Sequence, residues 1–237
     1  MNVAARLGPR SVGDDVPARR LAVGNDVVDL HDPRTVGKAG DARFLSRVLQ
    51  DDERAAVAAA PDPEESLWIH WAGKEAAYKL VSKLRGAPPV FVHRDFVVDG
   101  ECVEHEGSRY GLSLTRRGSA IHALSCFGAP LADALPGMGT LDQPGTPWSG
   151  SLEALLSRLS EREGDPVHSL ASAAVRLGAR AALARALDVD EKRLEIVCEP
   201  GVTGRRPPRV LLDGAPAPAD VSLSHHGDWI AWAILLG

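Results

Sequence analysis

Three short stretches of this sequence hold side chains that could do chemistry together. In the first, Gly24-Asn25-Asp26, an aspartate sits inside a β-branched run ending at Val27-Val28-Asp29-Leu30. A carboxylate in an apolar strand costs free energy unless its charge is matched. The plainer reading is an acid at a strand end that caps the next helix. That reading is preferred for Asp29 and Asp32, and Asp32-Pro33 is expected to open a helix. In the second stretch, Trp71-Ala72-Gly73-Lys74-Glu75-Ala76-Ala77-Tyr78-Lys79, Glu75 and Lys79 lie four apart on one helical face. Most such pairs are solvated. Here Trp68, Trp71 and Tyr78 surround the helix, which implies burial, and a buried carboxylate needs a partner or a metal. Lys74, one step round, should point elsewhere. The third stretch, Val221-Ser222-Leu223-Ser224-His225-His226-Gly227-Asp228-Trp229, reads as two strands about a tight turn, with Ser224 and His225 able to reach a cleft. A polar hairpin tip with incidental histidines would look the same.

The elements that must position these residues can be read from periodicity. A strand runs into Gly24-Asn25-Asp26, followed by helices over about 42–49 and 51–60. The strongest helix of the first half spans about 65–84, with apolar residues at helical spacing from Leu67 to Leu84. Strands follow at 90–98, 110–114 and 120–126. From 129 to 150 proline and glycine dominate, and the stretch reads as a linker of roughly twenty residues. Helices are then expected over 151–160 and 167–187, and strands over 194–198, 209–212, 221–224 and 229–235. Residues 1–20 have no apolar period and read as a flexible leader. The two halves, 21–128 and 151–237, share a plan of a helix followed by antiparallel strands, which suggests an internal duplication.

Composition narrows the function classes. Hydrophobic residues make up 44% and charged residues 25% of the 237, which fits a globular chain. The net charge of −5 disfavours a generic nucleic-acid binder, although Arg116-Arg117 and Arg205-Arg206 with Arg209 form local basic clusters. The three cysteines, Cys102, Cys126 and Cys198, are far apart, so neither a disulfide framework nor a zinc site is expected. The absence of a long apolar run or a secretory layout points to a cytoplasmic protein without a membrane span.

Taken together, GxD, WxxKEAxxK and SxSHxGDW resemble the 4'-phosphopantetheinyl transferase superfamily, over about residues 23–237 apart from the linker. The resemblance implies an α+β fold: two similar modules, each a helix packed on a small antiparallel sheet, arranged as a pseudo-twofold dimer within one chain. In the larger members the serine-histidine motif comes first, whereas here it comes last. Residues 167–237, with Arg180-Ala181-Ala182-Leu183 and Gly204-Arg205-Arg206-Pro207, resemble the usual first module, and residues 23–127 the usual second. A circular permutation accounts for this order. The alternative is a tandem duplication with one decayed site, since Leu124-Ser125-Cys126 stands where a serine-histidine pair might, and the second half has no GxD or KEAxxK.

The resemblance also implies a reaction. The 4'-phosphopantetheine arm of coenzyme A passes to a serine of an apo acyl or peptidyl carrier protein, with release of 3',5'-ADP. Asp26 and Glu75 would ligate Mg2+, with Glu75 also a candidate general base in the family pattern. Lys79 would contact the transferred phosphate, His225 the pyrophosphate and Ser224 the 3'-phosphate. Arg205 or Arg206, with Arg180 as a weaker candidate, would grip the nucleotide phosphates. Larger members often carry a second acid two residues after the first. Here that residue is Val28, and strand alternation puts Val28, not Asp29, on the Asp26 side. Two protein carboxylates are therefore expected, and Asp29 could replace the third only through a bulge. A monomer is expected. The competing readings are a generic magnesium phosphohydrolase and a decayed paralogue that binds coenzyme A or a carrier without transfer.

Overall fold

The computed structural model describes residues 21–86, 90–201 and 204–237, so the expected leader over 1–20 lies outside the described residues. The architecture is α+β, with helices packed on antiparallel sheets. In the first half the elements are β1 (Ala22–Asp29), α1 (Ala42–Val48), α2 (Asp51–Ala59), α3 (Pro63–Arg85), β2 (Val97–Asp99), β3 (Cys102–His105), β4 (Ser108–Arg117) and β5 (Ala120–Phe127). The strands form one sheet in the order β1-β5-β4-β3-β2. Proline at the first turn and the Asp62 carboxylate on Glu65 N start α3, and Gly86 at φ 72° ends it. Its apolar face, including Trp68, Ala72, Ala76 and Val81, packs on Val28, Phe96, Leu112 and Ile121. Gly24 makes this contact possible: a Cβ there would lie 2.0 Å from the Ala76 carbonyl oxygen. The glycine of the GxD motif thus brings β1 directly against α3.

The second half contains β6 (Leu135–Thr140), α4 (Leu152–Leu156), α5 (Glu161–Gly164), α6 (Leu170–Leu187), β7 (Leu194–Val197), β8 (Pro200–Gly201), β9 (Gly204–Arg205), β10 (Arg209–Leu212), β11 (Ala215–Pro216), β12 (Ala219–His226) and β13 (Trp229–Leu236). One sheet has the order β12-β13-β6, a second β11-β10-β7, and β8 pairs with β9. Helix α6 buries Ala173, Leu177 and Leu183 against Ile230, Trp232 and Ile234.

The structure changes several expected boundaries. The segment read as a linker contains β6, which pairs with β13 from Trp229–Thr140 to Ile234–Leu135. Trp148 then folds back into the core, its indole donating to Thr140 O at 2.9 Å. Proline and glycine disguise a strand that needs little side chain because β13 holds it. The strand expected at 90–98 shrinks to β2 behind a short 3-10 turn at His93–Asp95, and β3 is additional. Asp32-Pro33 opens no helix. The Asp32 carboxylate instead accepts Arg34 N at 2.8 Å and the Arg34 guanidinium, closing a turn.

The two long helices are fastened alike. In the first half the Glu53 carboxylate, at the start of α2, accepts from Gln50 N at 2.8 Å, Val98 N at 2.8 Å and Lys74 Nζ at 2.7 Å. In the second, Glu163, at the start of α5, accepts from Ser160 N at 3.1 Å, Ile196 N at 2.8 Å and Arg180 Nη1 at 2.9 Å. Each buried acid ties its own helix start, a strand and one cation of the long helix together. Burial pushes the Lys74 ammonium below the ordinary lysine value, and the Glu53 charge opposes that shift.

A second device joins the halves. The outer N–H groups of β1 meet side chains of β12 in step. Val23 N donates to Asp220 Oδ2 at 2.7 Å, Asn25 N to Ser222 Oγ at 3.0 Å, Val27 N to Ser224 Oγ at 3.2 Å and Asp29 N to His226 Nδ1 at 3.1 Å. Buried backbone donors need such partners, and alternate residues of β12 provide them. Lys83 crosses the same seam, donating to Val23 O, Asp220 Oδ2 and Val221 O.

Candidate active site

Where the halves meet, Asp26, Glu75, Lys79, Ser224, His225 and His226 line a cavity of about 300 Å³. Asp26 comes from β1, Glu75 and Lys79 from α3, and the other three from the end of β12. Asp26 Oδ1 accepts from Lys79 Nζ at 2.7 Å and from Ser224 Oγ at 2.7 Å. Lys79 also donates to Asn25 O at 3.0 Å. This matches the aspartate charge inside the strand and orients its carboxylate. Glu75 Oε1 lies 3.6 Å from His93 Nε2, and the His93 ring is held between Trp71 and Phe91.

Lys79 and His225 also line a second space, of about 440 Å³, together with Lys83, Arg176, Arg205 and Arg206. The acidic cavity and this basic cleft therefore adjoin, sharing Lys79, Leu223 and His225 in their walls. Partial burial in the cleft wall, and then the nearby Lys79 and Arg176 cations, hold the His225 pKa below the ordinary histidine value, although its outer edge is exposed. Uncharged at neutral pH, it is a hydrogen-bonding group rather than a fixed cation. The cleft can hold a polyanion against several cations, with two carboxylates at one end.

The structure brings together Asp26, Glu75, Lys79, Ser224, His225, Arg205 and Arg206 from the sequence-derived set. It separates Arg180. That guanidinium is buried, bonded to Glu163, to Glu191 at 3.2 Å and to Arg158 O at 2.8 Å, and it fastens α6 instead of binding a ligand. Arg176, one turn earlier, faces the cleft in its place, with Nε buried and without a partner among the described residues. Only long-range partners distinguish the two arginines, and those are invisible in a helical pattern. Ser224 lines the cavity, but its one proton is donated to Asp26 while its oxygen accepts from Val27 N, which leaves it no proton for a 3'-phosphate. Lys83 and His93 gave no spacing signal. Lys74 turns away to Glu53, as expected.

The β1–β5 register is unbroken from Ala22 to Asp29, so no bulge turns Asp29 inward. Its carboxylate accepts from His31 N at 3.1 Å and from Asp228 N at 3.3 Å, beside the β12–β13 turn. Val28 lines the cavity on the Asp26 side. Among the described residues, no group of three or more histidine, cysteine, aspartate or glutamate side chains is placed to hold a metal. Also among them, no helix is long and apolar enough to cross a membrane.

Residues 22–125 match the model of the 4'-phosphopantetheinyl transferase superfamily. The segment that supplies Asp26, Glu75 and Lys79 therefore carries the signature of that superfamily. Among solved structures, the chain is similar to holo-[acyl-carrier-protein] synthase from Neisseria meningitidis, at 18% identity over 44% of this chain and 95% of that one, with a TM-score of 0.35. It is similar to acyl carrier protein synthase from Mycobacterium tuberculosis at 25% identity, over 46% and 97% of the two chains, with a TM-score of 0.32. It is also similar to holo-[acyl-carrier-protein] synthase from Thermotoga maritima at 17% identity, over 59% and 74%, with a TM-score of 0.32. No curated protein matches the chain.

Proposed function

We propose that this protein transfers 4'-phosphopantetheine from coenzyme A to a serine of an apo carrier protein and releases 3',5'-ADP. The observation that carries this reading is a pair of adjoining spaces, one acidic at Asp26 and Glu75 and the other basic from Lys79 to Arg206. Phosphoryl transfer depends on positioning and charge neutralisation more than on covalent help from the protein. Arg176, Arg205 and Arg206 supply cations for the nucleotide phosphates. His225 and Lys79 stand where the two spaces meet, suited to the pyrophosphate. Glu75, at the acidic end, is positioned to take the proton from the attacking serine hydroxyl.

The donor set fits Mg2+. Two carboxylates line one polar cavity, and this ion keeps several waters and shares phosphate oxygens with its substrate. Asp26 and Glu75 would hold it, and it would supply charge neutralisation at the phosphate under attack. Ser224 and Lys79 keep the Asp26 carboxylate in place for that task.

Both parts of the cleft belong to one chain, which supports a monomer of two modules. A Cβ on Gly237 would lie 3.7 Å from Leu21 Cδ1, so the end of β13 lies beside the start of β1. That proximity supports a permuted module order. The functional test is intact-mass measurement of an apo carrier incubated with protein, coenzyme A and Mg2+. A gain of one phosphopantetheine is expected. An unchanged carrier with coenzyme A tightly bound would favour the decayed paralogue, which the small number of carboxylates keeps in view.

A further inference from the structure

The matching fastenings of α3 and α6 put the two halves in register, and that register locates a second cavity. One residue beyond the cations Lys74 and Arg180 stand Glu75 and Ala181, and five beyond stand Lys79 and Arg185. The hairpin turns give the same alignment. Asp29 pairs with Ala120 after one turn, and Thr140 pairs with Trp229 after the other. Three residues back along β1 and β6 lie Asp26 and Gly137. Two residues before the ends of β12 and β4 lie Ser224 and Thr115.

Thr115, Arg117, Gly137 and Arg185 all line one cavity of about 830 Å³, the counterpart of the acidic end of the cleft. Its floor includes Trp148 and Trp232, and its described lining contains no aspartate or glutamate. Where Gly24 lets β1 press on α3, the space over Gly137 is taken by the Trp232 ring, and β6 stands off from α6. Arg185 has no ion pair among the described residues, and Arg117 donates only to Met138 O at 3.2 Å among them. Two guanidiniums without ion pairs among the described residues, at the rim of an indole-floored cavity, suit a ligand with an aromatic body and an anionic phosphate. Without carboxylates the cavity lacks the acidic oxygen ligands that a Mg2+ ion takes.

We propose that this cavity is a second, non-reacting site for an aromatic organic phosphate of nucleotide type. The proposal rests on the internal register and not on the transferase reading. Calorimetric titration of the full chain with adenosine 3',5'-bisphosphate tests it, with carrier modification measured alongside. The unaltered protein should bind two nucleotides and the Arg117→Glu/Arg185→Glu variant one, with transfer within about twofold of the unaltered rate. The milder Arg117→Gln/Arg185→Gln variant should weaken one site about tenfold or more, so that the conclusion does not depend on the charge reversal folding. Nucleotide binding unchanged in number and affinity in both variants overturns the proposal. Two nucleotides bound with no carrier modified would leave the second site standing and sink the transferase reading instead.

Discussion

Helices α3 and α6 are built into the protein by the same means and do different work. Each is fixed by a buried glutamate that also closes a neighbouring helix start and holds a strand N–H. Beyond the fastening, α3 presents Glu75 and Lys79 to a cavity beside Asp26, whereas α6 presents Ala182 and Arg185 to a cavity beside Gly137. The fastening is repeated and the acids are not. Proposed chemistry therefore follows the few polar side chains near the cavity, while the helices are held by contacts remote from it.

The comparison can be broken most severely at Glu75. Glu75→Gln keeps the shape of α3 and removes the charge that α6 lacks. Transfer should fall at least about a thousandfold with an unchanged circular dichroism spectrum. A rate near that of the unaltered protein would remove the difference between the halves.

The next test separates fastening from binding within α6. Arg180→Met leaves Glu163 buried without its cation and should cost about 3–5 kcal/mol of stability in urea titrations. Arg176→Ala removes no ion pair, so it should cost less stability than Arg180→Met, and it should raise the KM for coenzyme A about tenfold or more. A reversed outcome would show that the two arginines have been assigned to the wrong roles.

Much of the active half was legible in the sequence, because its signals are local. Glu75 and Lys79 share a helical face through spacing alone, and Asp26 is conspicuous in an apolar strand. The second half was harder for a physical reason. Arg176 and Arg180 lie on one helix a turn apart, and only Glu163 and Glu191, distant in sequence, commit the latter. The β6 strand was hidden by Pro136, Gly137 and Gly139, residues that strands seldom favour and that β13 pairing overrides. Ser224 looked like a ligand donor, and the role of Ser222 and Ser224 in satisfying the β1 edge depends on a partner strand about two hundred residues away in sequence.

A smaller effect concerns the wall of the larger cavity. His122, buried in β5, contacts Asn25 Nδ2 at 3.0 Å, and burial lowers its pKa from 6.5 to about 4. Below pH 6.5 the unfolded chain takes up a proton that the fold refuses until about pH 4. Stability is therefore full above 6.5 and falls as pH drops through this window, by at most about 3 kcal/mol. His122→Gln should flatten that dependence when urea midpoints are compared at pH 7 and pH 5. The smallest effect belongs to the seam: Ser222→Ala removes one acceptor from the β1 edge and should cost about 1–2 kcal/mol by the same measurement.

The most direct test of the central claim is the position of a divalent ion and of coenzyme A in the protein. A crystal grown with coenzyme A and Mn2+ in place of Mg2+ would locate the ion by its anomalous scattering. The ion is expected between the carboxylates of Asp26 and Glu75, with the nucleotide phosphates against Arg176, Arg205 and Arg206. An ion bound away from both carboxylates, or coenzyme A lying outside the cleft between β12 and α3, would contradict the account.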